Sequence, residues 1–417
     1  MISTFARRRP GPNLRLAFLS LILSMSAPAR GAAQEERVFR PEVSVRNADY
    51  ATVRRQFRTT LRKHGPSPQA EPRYRPPKYV MEVDYGSPEK PLRAWLSGGT
   101  AGTRRPAVLF LHGGFAFGPD DWDMTVPYWD AGFVVMVPML RGENGQAGEF
   151  TFLYDEVDDV LAAAAFLARQ PTVDPTQIFL AGHSAGATLA LLTAEASPRF
   201  RAVTTFDASP DLQLLYHGSA KKPGAHAELV FDPDDLRELE VRSPLAYARS
   251  LKSSLRAYYS TEAVSIIRYP TERLIEVART RGVDAAASQV EGSHMSHVAR
   301  AMPASIAFFK TFLGSRTAMT PRVAPPWEPS LEGNTTFRLR GHPSARRVTV
   351  AGSFNGWDSR HLICGKDGAE WVCRVDFPAG RYTYKFVVDD DWILDPGNSA
   401  SADDGNGGTS SLLVKDR

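Results

Sequence analysis

The sequence predicts an α/β chain, a doubly covered, mostly parallel sheet followed by a small all-β region. Three observations carry this. From Pro106 onward, strand-like runs (residues 107–111, 133–137, 178–181 and 202–206), the first three continuously apolar, alternate with helical stretches. Such runs mark strands covered on both faces, and their alternation with helices marks a parallel sheet. The pentapeptide Gly182-His183-Ser184-Ala185-Gly186 stands between one of these runs and the small, apolar residues 187–192, so a strand meets a helix at a sharp turn. Beyond the proline-rich residues 317–334, the chain reads as short strands separated by turn residues.

A chain of 417 residues is too long for one typical domain. Hydrophobic content of 43% and charged content of 23% are those of a globular protein. The net charge of +4 is mild and partly set by Arg7, Arg8, Arg9 and Arg15, so nothing points to nucleic acid. Those arginines, the apolar residues 16–25 and the small residues at Ala27-Pro28-Ala29 or Gly31-Ala32-Ala33 are the three parts of a signal peptide, assigned to residues 1–33. The apolar part is short for a membrane span, and no other stretch approaches that length, so the expected mature protein is exported, secreted or periplasmic, and does not span a membrane. Export suits the two cysteines, Cys364 and Cys373, which flank the turn signal Gly365-Lys366-Asp367-Gly368 and can face each other across a hairpin. A bridge there would add roughly 2–3 kcal/mol by loop closure.

Residues 34–77 read as an N-terminal extension without evident chemistry, helical in character over 47–63 and proline-rich over 65–77. Residues 79–85 and 91–96 read as strands joined at Gly86-Ser87-Pro88. Helices are expected at 122–131, 154–169, 271–281 and 302–312, and further strands at 255–259 and 284–290. Residues 78–315 thus form one domain, 316–333 a linker and 334–417 a second domain.

Gly-x-Ser-x-Gly between strand and helix is the nucleophile elbow, in which a tight turn presents a serine Oγ and the glycines let strand and helix approach. Ser184 is therefore the expected nucleophile of an α/β-hydrolase. Active sites of parallel sheets lie beyond the carboxyl ends of the strands. His112-Gly113-Gly114 follows the first buried strand, where backbone N–H groups are exposed. The expected oxyanion donors are the N–H of Ala185 and that of Gly114 or Phe115. The base should come last in the chain. His294 fits, after the last strand at a Gly-Ser turn, ahead of His297 three residues on. His294 and His297 lack a third ligand at a recognisable spacing, so neither a metal nor another cofactor is expected. The acid is expected after the strand at 255–259, which points to Glu262, with Asp207, after the preceding strand, as its rival.

His112-Gly113-Gly114, Pro138-x-x-Arg141-Gly142, Asp174-Pro175, the elbow pentapeptide and Ser243-Pro244-Leu245, in this order, resemble the catalytic domain of the prolyl oligopeptidase family over residues 80–315. The resemblance implies Ser184 as nucleophile, a carboxylate near 262 as acid and His294 as base. The family's Gly-x-x-Asp after the acid strand is replaced here by Tyr259-Ser260-Thr261-Glu262, and no long repeated β segment precedes the hydrolase strands. Ester and peptide substrates, small-molecule or peptidic, therefore stand equally.

Residues 348–357, ending Ser353-Phe354-Asn355-Gly356-Trp357, residues 380–392 with the following Asp395-Pro396, and a closing strand at 412–414 resemble the glycogen-binding module of the AMP-activated protein kinase β subunit. The resemblance covers residues 335–415 and implies a small, immunoglobulin-like β-sandwich. It also implies an α-glucan partner, with Trp357 and Trp392 stacking on sugar rings and Lys385 bonding to hydroxyls. The family's late asparagine is replaced by Thr409-Ser410-Ser411. The alternative function is a carbohydrate-binding protein with an inactive hydrolase fold.

Overall fold

The structure is a computed structural model. It describes residues 43–77, 80–87, 89–98, 104–219, 229–263 and 265–314, and in the C-terminal part residues 329, 331, 333–353, 357, 359, 362–375, 377, 380–389, 391–403 and 409–415. The signal-peptide reading of residues 1–33 and most of the 316–333 linker lie outside the described residues. The chain divides into two compact units, Met1–Arg322 and Val323–Arg417.

In the first unit an eight-stranded sheet has the order β1-β2-β4-β3-β5-β6-β7-β8. Its strands are β1 (Val80–Ser87), β2 (Lys90–Ser97), β3 (Arg105–Leu111), β4 (Val134–Pro138), β5 (Val173–His183), β6 (Ala202–Phe206), β7 (Ser254–Ser260) and β8 (Ala285–Val290). β1 and β2 join antiparallel, and β3 to β8 are mutually parallel. The unbroken apolar runs are explained by two cores, one on each face. Ala107, Leu109 and Leu111 of β3, with Ile178 and Leu180 of β5, enter one. Val108, Phe110, Phe179 and Ala181 enter the other. Alternate residues of a strand point to opposite faces, so only apolar residues at every position satisfy both.

The first face is covered by α1 (Tyr50–Gln56), α4 (Glu156–Ala168), α5 (Ala185–Ala196) and α8 (Ser265–Arg279), the second by α2 (Pro119–Asp123), α3 (Val126–Asp130) and α9 (Ser296–Lys310). After β6 the chain runs through α6 (Leu212–Ser219), α7 (Leu236–Glu240) and a 3-10 turn at Pro244–Ser250. Two helical expectations are corrected. The helix expected over 47–63 ends at Gln56, because Phe57 turns extended to pack edge-on against Tyr154 and Leu61 pairs with Phe231. The helix expected over 122–131 is split into α2 and α3, with Thr125 between them and Pro127 in the first turn of α3.

The second unit holds two antiparallel sheets. One has the order β11-β12-β9, from β9 (Thr335–Arg340), β11 (Gly365–Asp367) and β12 (Glu370–Val375). The other has the order β10-β13-β16-β15, from β10 (Val348–Gly352), β13 (Gly380–Val388), β15 (Ser401–Asp403) and β16 (Thr409–Lys415), with β14 (Asp391–Ile393) beside β13. Phe337, Leu339, Trp371 and Cys373 from one sheet, and Val348, Val350, Tyr384 and Phe386 from the other, fill a common core. Cys364 and Cys373 form a disulfide across the β11–β12 hairpin, whose turn uses Gly368 at φ 60°.

Candidate active site

Ser184 sits between β5 and α5 at φ 56°, ψ −121°, a left-handed backbone that a non-glycine residue adopts only when its surroundings force it. The surroundings here are tight. A Cβ on Gly182 would strike the backbone of Gly186, and one on Gly186 would strike the carbonyl oxygens of Leu111 and His112. The Ser184 N–H donates to the carbonyl of Phe206 at 2.9 Å, which ties the elbow to the end of β6. Ala185 opens α5, so its N–H belongs to the first turn, whose donors have no acceptor within the helix.

Asp207 directly follows β6 at φ 49°, which turns its carboxylate toward the base. Its Oδ2 accepts from Nδ1 of His294 at 2.9 Å and its Oδ1 from the N–H of Ser260 at 2.8 Å. Burial alone would raise the Asp207 carboxyl, but His294, His297 and the Ser260 N–H outweigh it and hold it below its ordinary value. With Nδ1 engaged, Nε2 of His294 is buried and has no hydrogen-bond partner among the described residues. That is the atom a general base presents to a serine.

The acid assignment is thereby corrected. Glu262 is exposed and meets the Gly292 carbonyl through its backbone N–H, at 3.4 Å, while Asp207 faces His294. The physical reason is register: His183 pairs with Phe206, so the residue after β6 emerges beside the elbow, whereas β7 lies one strand further out and contributes a backbone donor from Ser260. The one signal available in the sequence was an aspartate ending the apolar run at 202–206.

His297, in the first turn of α9, donates from Nδ1 to the Ser293 carbonyl at 3.0 Å and lies 3.7 Å from Asp207 Oδ2, a second neighbour of the acid. No group of three or more metal-ligating side chains occurs among the described residues. His183, unremarked in the sequence beyond its place in the pentapeptide, meets the carbonyl of His294 through Nε2 at 2.9 Å. Burial, assisted by His294, pushes its imidazole down to about 3, so it is a neutral donor.

At the loop after β3, Gly114 is left-handed at φ 68°. The Phe115 N–H donates to Oε1 of Gln69 at 2.9 Å, which leaves Gly114 as the better of the two sequence candidates. The His112 ring is held by Glu143, its Nε2 3.0 Å from Glu143 Oε2. Burial opposes a charge on His112, but Glu143 outweighs burial and lifts the imidazole to about 9. The structure thus pairs His294 with Asp207, ties His294 to His183 beside Ser184, and leaves Glu262 outside.

In the second unit, Lys385 and Val387 of β13 point to the face opposite the core, since Tyr384 and Phe386 point inward. Trp392 lies across from Val387, 46% exposed, with the half-buried Trp357 ring 6.2 Å away and inclined by 42°. Ser410 and Ser411, at the position of the missing asparagine, are buried.

A parallel sheet in this order, with a left-handed serine between β5 and α5 and a histidine–carboxylate pair beyond the strand ends, defines the α/β-hydrolase fold. Residues 121–315 match the model of the prolyl oligopeptidase family, and residues 334–416 match the glycogen recognition site of AMP-activated protein kinase. The second unit is similar to 5'-AMP-activated protein kinase subunit beta-2 of Mus musculus, 31% identical over 78 residues, which are 17% of this chain and 28% of that protein. The chain thus spans 28% of the length of the beta-2 subunits of Mus musculus, Rattus norvegicus and Homo sapiens. Among solved structures, a puromycin-hydrolysing peptidase of Mycobacterium tuberculosis aligns at 21% identity and a TM-score of 0.49, covering 57% of this chain and 40% of that one. An esterase of Pyrobaculum calidifontis aligns at 22% identity and a TM-score of 0.45, covering 57% and 86%.

Proposed function

We infer that the chain is an exported serine hydrolase that cleaves an ester or peptide bond through an acyl-enzyme and is held near an α-glucan by its second unit. The observation that carries this reading is the His294–Asp207 pair, which leaves His294 Nε2 open at the end of the sheet that presents Ser184. Ser184 Oγ attacks the acyl carbonyl while His294 Nε2 takes its proton. The N–H groups of Ala185 and Gly114 hold the oxyanion, Asp207 stabilises the imidazolium, and His294 returns the proton to the leaving group. Water, deprotonated by His294, then releases the acyl group. Export is supported by the arginine-led apolar N-terminus. Glucan targeting is supported by the paired Trp357 and Trp392 rings beside Lys385.

Labelling with a fluorophosphonate tests the chemistry. Wild type should take up one equivalent at Ser184 and Ser184→Ala none; wild type that stays unlabelled sinks the reading. Rates on p-nitrophenyl acyl esters against aminoacyl and prolyl anilides then separate esterase from peptidase.

A further inference from the structure

The loop after β3 is fastened by side chains from the following helix and from more distant parts of the chain. Glu143 holds the His112 ring, Asn144 accepts from the Phe117 N–H at 2.8 Å and donates to the Phe117 carbonyl at 2.9 Å, and Asp121 accepts from the Gly118 N–H at 2.8 Å. The centre of the loop, at Phe115, is held by the N-terminal extension instead. Gln69 Oε1 accepts from the Phe115 N–H at 2.9 Å, and Ser67 Oγ donates to the Phe115 carbonyl. Both side chains belong to buried residues, 7% and 8% exposed. They lie ahead of β1, outside the residues that match the hydrolase family model.

The extension is itself built into place. The Ser67 N–H donates to the Gly142 carbonyl and the Phe150 N–H to the Gly65 carbonyl, each at 3.0 Å, and the Gln69 N–H donates to Ser67 Oγ at 3.2 Å. The glycines agree with this docking. A Cβ on Gly114 would lie 2.7 Å from Gln69 Oε1, and one on Gly142 would lie 3.2 Å from the Ser67 nitrogen. Gly114 thus needs to be glycine both for its left-handed backbone and for the approach of Gln69.

Resting on the serine-hydrolase reading, we propose that Gln69, supported by Ser67, is a positioning residue of the oxyanion loop. Gln69 engages the Phe115 N–H and Ser67 the Phe115 carbonyl, so the peptides on both sides of Phe115 are fixed, and with them the left-handed Gly114 directly ahead. With the chain fixed at Phe115, Gly114 holds one backbone conformation, in which its N–H acts with that of Ala185. Gln69 contributes no group to the reacting atoms, because its amide oxygen is an acceptor turned to Phe115. An oxyanion donor works only when it is preorganised, since a loop free to turn must be reoriented at each catalytic event. The extension, silent as sequence, thereby becomes part of the catalytic apparatus.

The test uses the full chain. Gln69→Met keeps the bulk and removes the acceptor; Ser67→Ala removes the second tie. Active sites are counted by fluorophosphonate titration of Ser184. kcat and KM are measured on a p-nitrophenyl ester, and affinity is measured for a trifluoromethyl ketone, which forms a tetrahedral oxyanion on the serine. Gln69→Met should lower kcat per titrated site by about 10- to 100-fold with KM within about twofold, and weaken the ketone by a matching factor. Ser67→Ala should move both in the same direction by less. A kcat within about twofold of wild type in both variants overturns the proposal, as does a lower kcat with unchanged ketone affinity, which a merely structural tie would give. If Gln69→Met does not fold, Ser67→Ala decides by the same two criteria. Wild type whose Ser184 takes no label removes the proposed function, and this inference with it, whatever Gln69 does.

Discussion

Nε2 of His183 lies 2.9 Å from the carbonyl oxygen of His294, so the residue before the candidate nucleophile holds the backbone of the candidate base. The His294 ring is held separately, by Asp207. Replacing His183 by Phe removes the backbone tie and keeps the aromatic bulk. Expected is a fall in kcat of about 10-fold, from a base that wanders, with Ser184 still fully titratable by fluorophosphonate. An unchanged kcat would show that Asp207 alone suffices to place His294.

The two carboxylates that compete in the sequence are separable by mutation. Asp207→Asn should cost about 10³–10⁴ in kcat, because an amide at this place favours the wrong imidazole tautomer and cannot offset the imidazolium charge. Glu262→Gln, at an exposed position, should stay within about twofold of wild type. The reverse ranking on any hydrolysed ester would return the acid to the end of β7.

Stability should fall on the alkaline side. The His112 imidazole, with Glu143 beside it, is raised to about 9, above the ordinary histidine value of about 6.5 in the unfolded chain. A base raised on folding adds stability that is complete below the unfolded value and is lost as pH rises through the folded one. The contribution is on the order of 3 kcal/mol at most. Urea unfolding between pH 6 and pH 10 should show this decline in wild type, and His112→Asn, less stable at neutral pH, should lack it.

Gly186→Ala should be more damaging than its single methyl suggests. The new Cβ would strike the carbonyl oxygens of both Leu111 and His112, backbone atoms that cannot swing aside. A loss of about 2–4 kcal/mol is expected, measured by denaturant unfolding. Gly145→Ala makes a comparison of a different kind: an added Cβ meets nothing within 4 Å, so only the strain of its φ of 75° should register.

Glucan retention should depend on Trp357 and Trp392. In affinity electrophoresis through amylose or glycogen, each alanine variant should lose most of the wild-type retardation, given stacking worth about 1 kcal/mol or more per ring. Ester hydrolysis by the same variants should be unchanged. Retardation that survives both substitutions would mean that the rings only cover the β14 edge.

Much of this was legible in the residues. The strands of the sheet were visible because burial on both faces leaves nearly unbroken apolar runs, as at residues 107–111 of β3 and in β4. The elbow was visible because two glycines bracket a serine where strand gives way to helix. The disulfide was visible from a turn between two cysteines. What stayed hidden depends on contacts between distant parts of the chain. Asp207 and Glu262 both lie just beyond strand-like runs, and the pairing of His183 with Phe206 separates them. Helix propensity over 47–63 lost to the packing of Phe57 and Leu61. Gln69 carries no local sign of its role, because a glutamine side chain bonded to a backbone N–H 46 residues away leaves no periodicity to read.

Placing the acid at the end of β6 has an outcome for how such an enzyme can diversify. Ser184 and Asp207 stand at the ends of neighbouring strands, and the end of β7 supports Asp207 through main-chain groups, the Ser260 N–H on its carboxylate and the Tyr258 carbonyl on its N–H. A main-chain donor is indifferent to the side chain it carries. β7 itself is a buried strand of the sheet and must keep its place, but the exposed residues 234–237, between β6 and β7, can vary in sequence and length without dismantling the chemistry. For directed evolution, residues 234–237 are the natural place to graft new loops, and residues 182–207 are the place to leave alone.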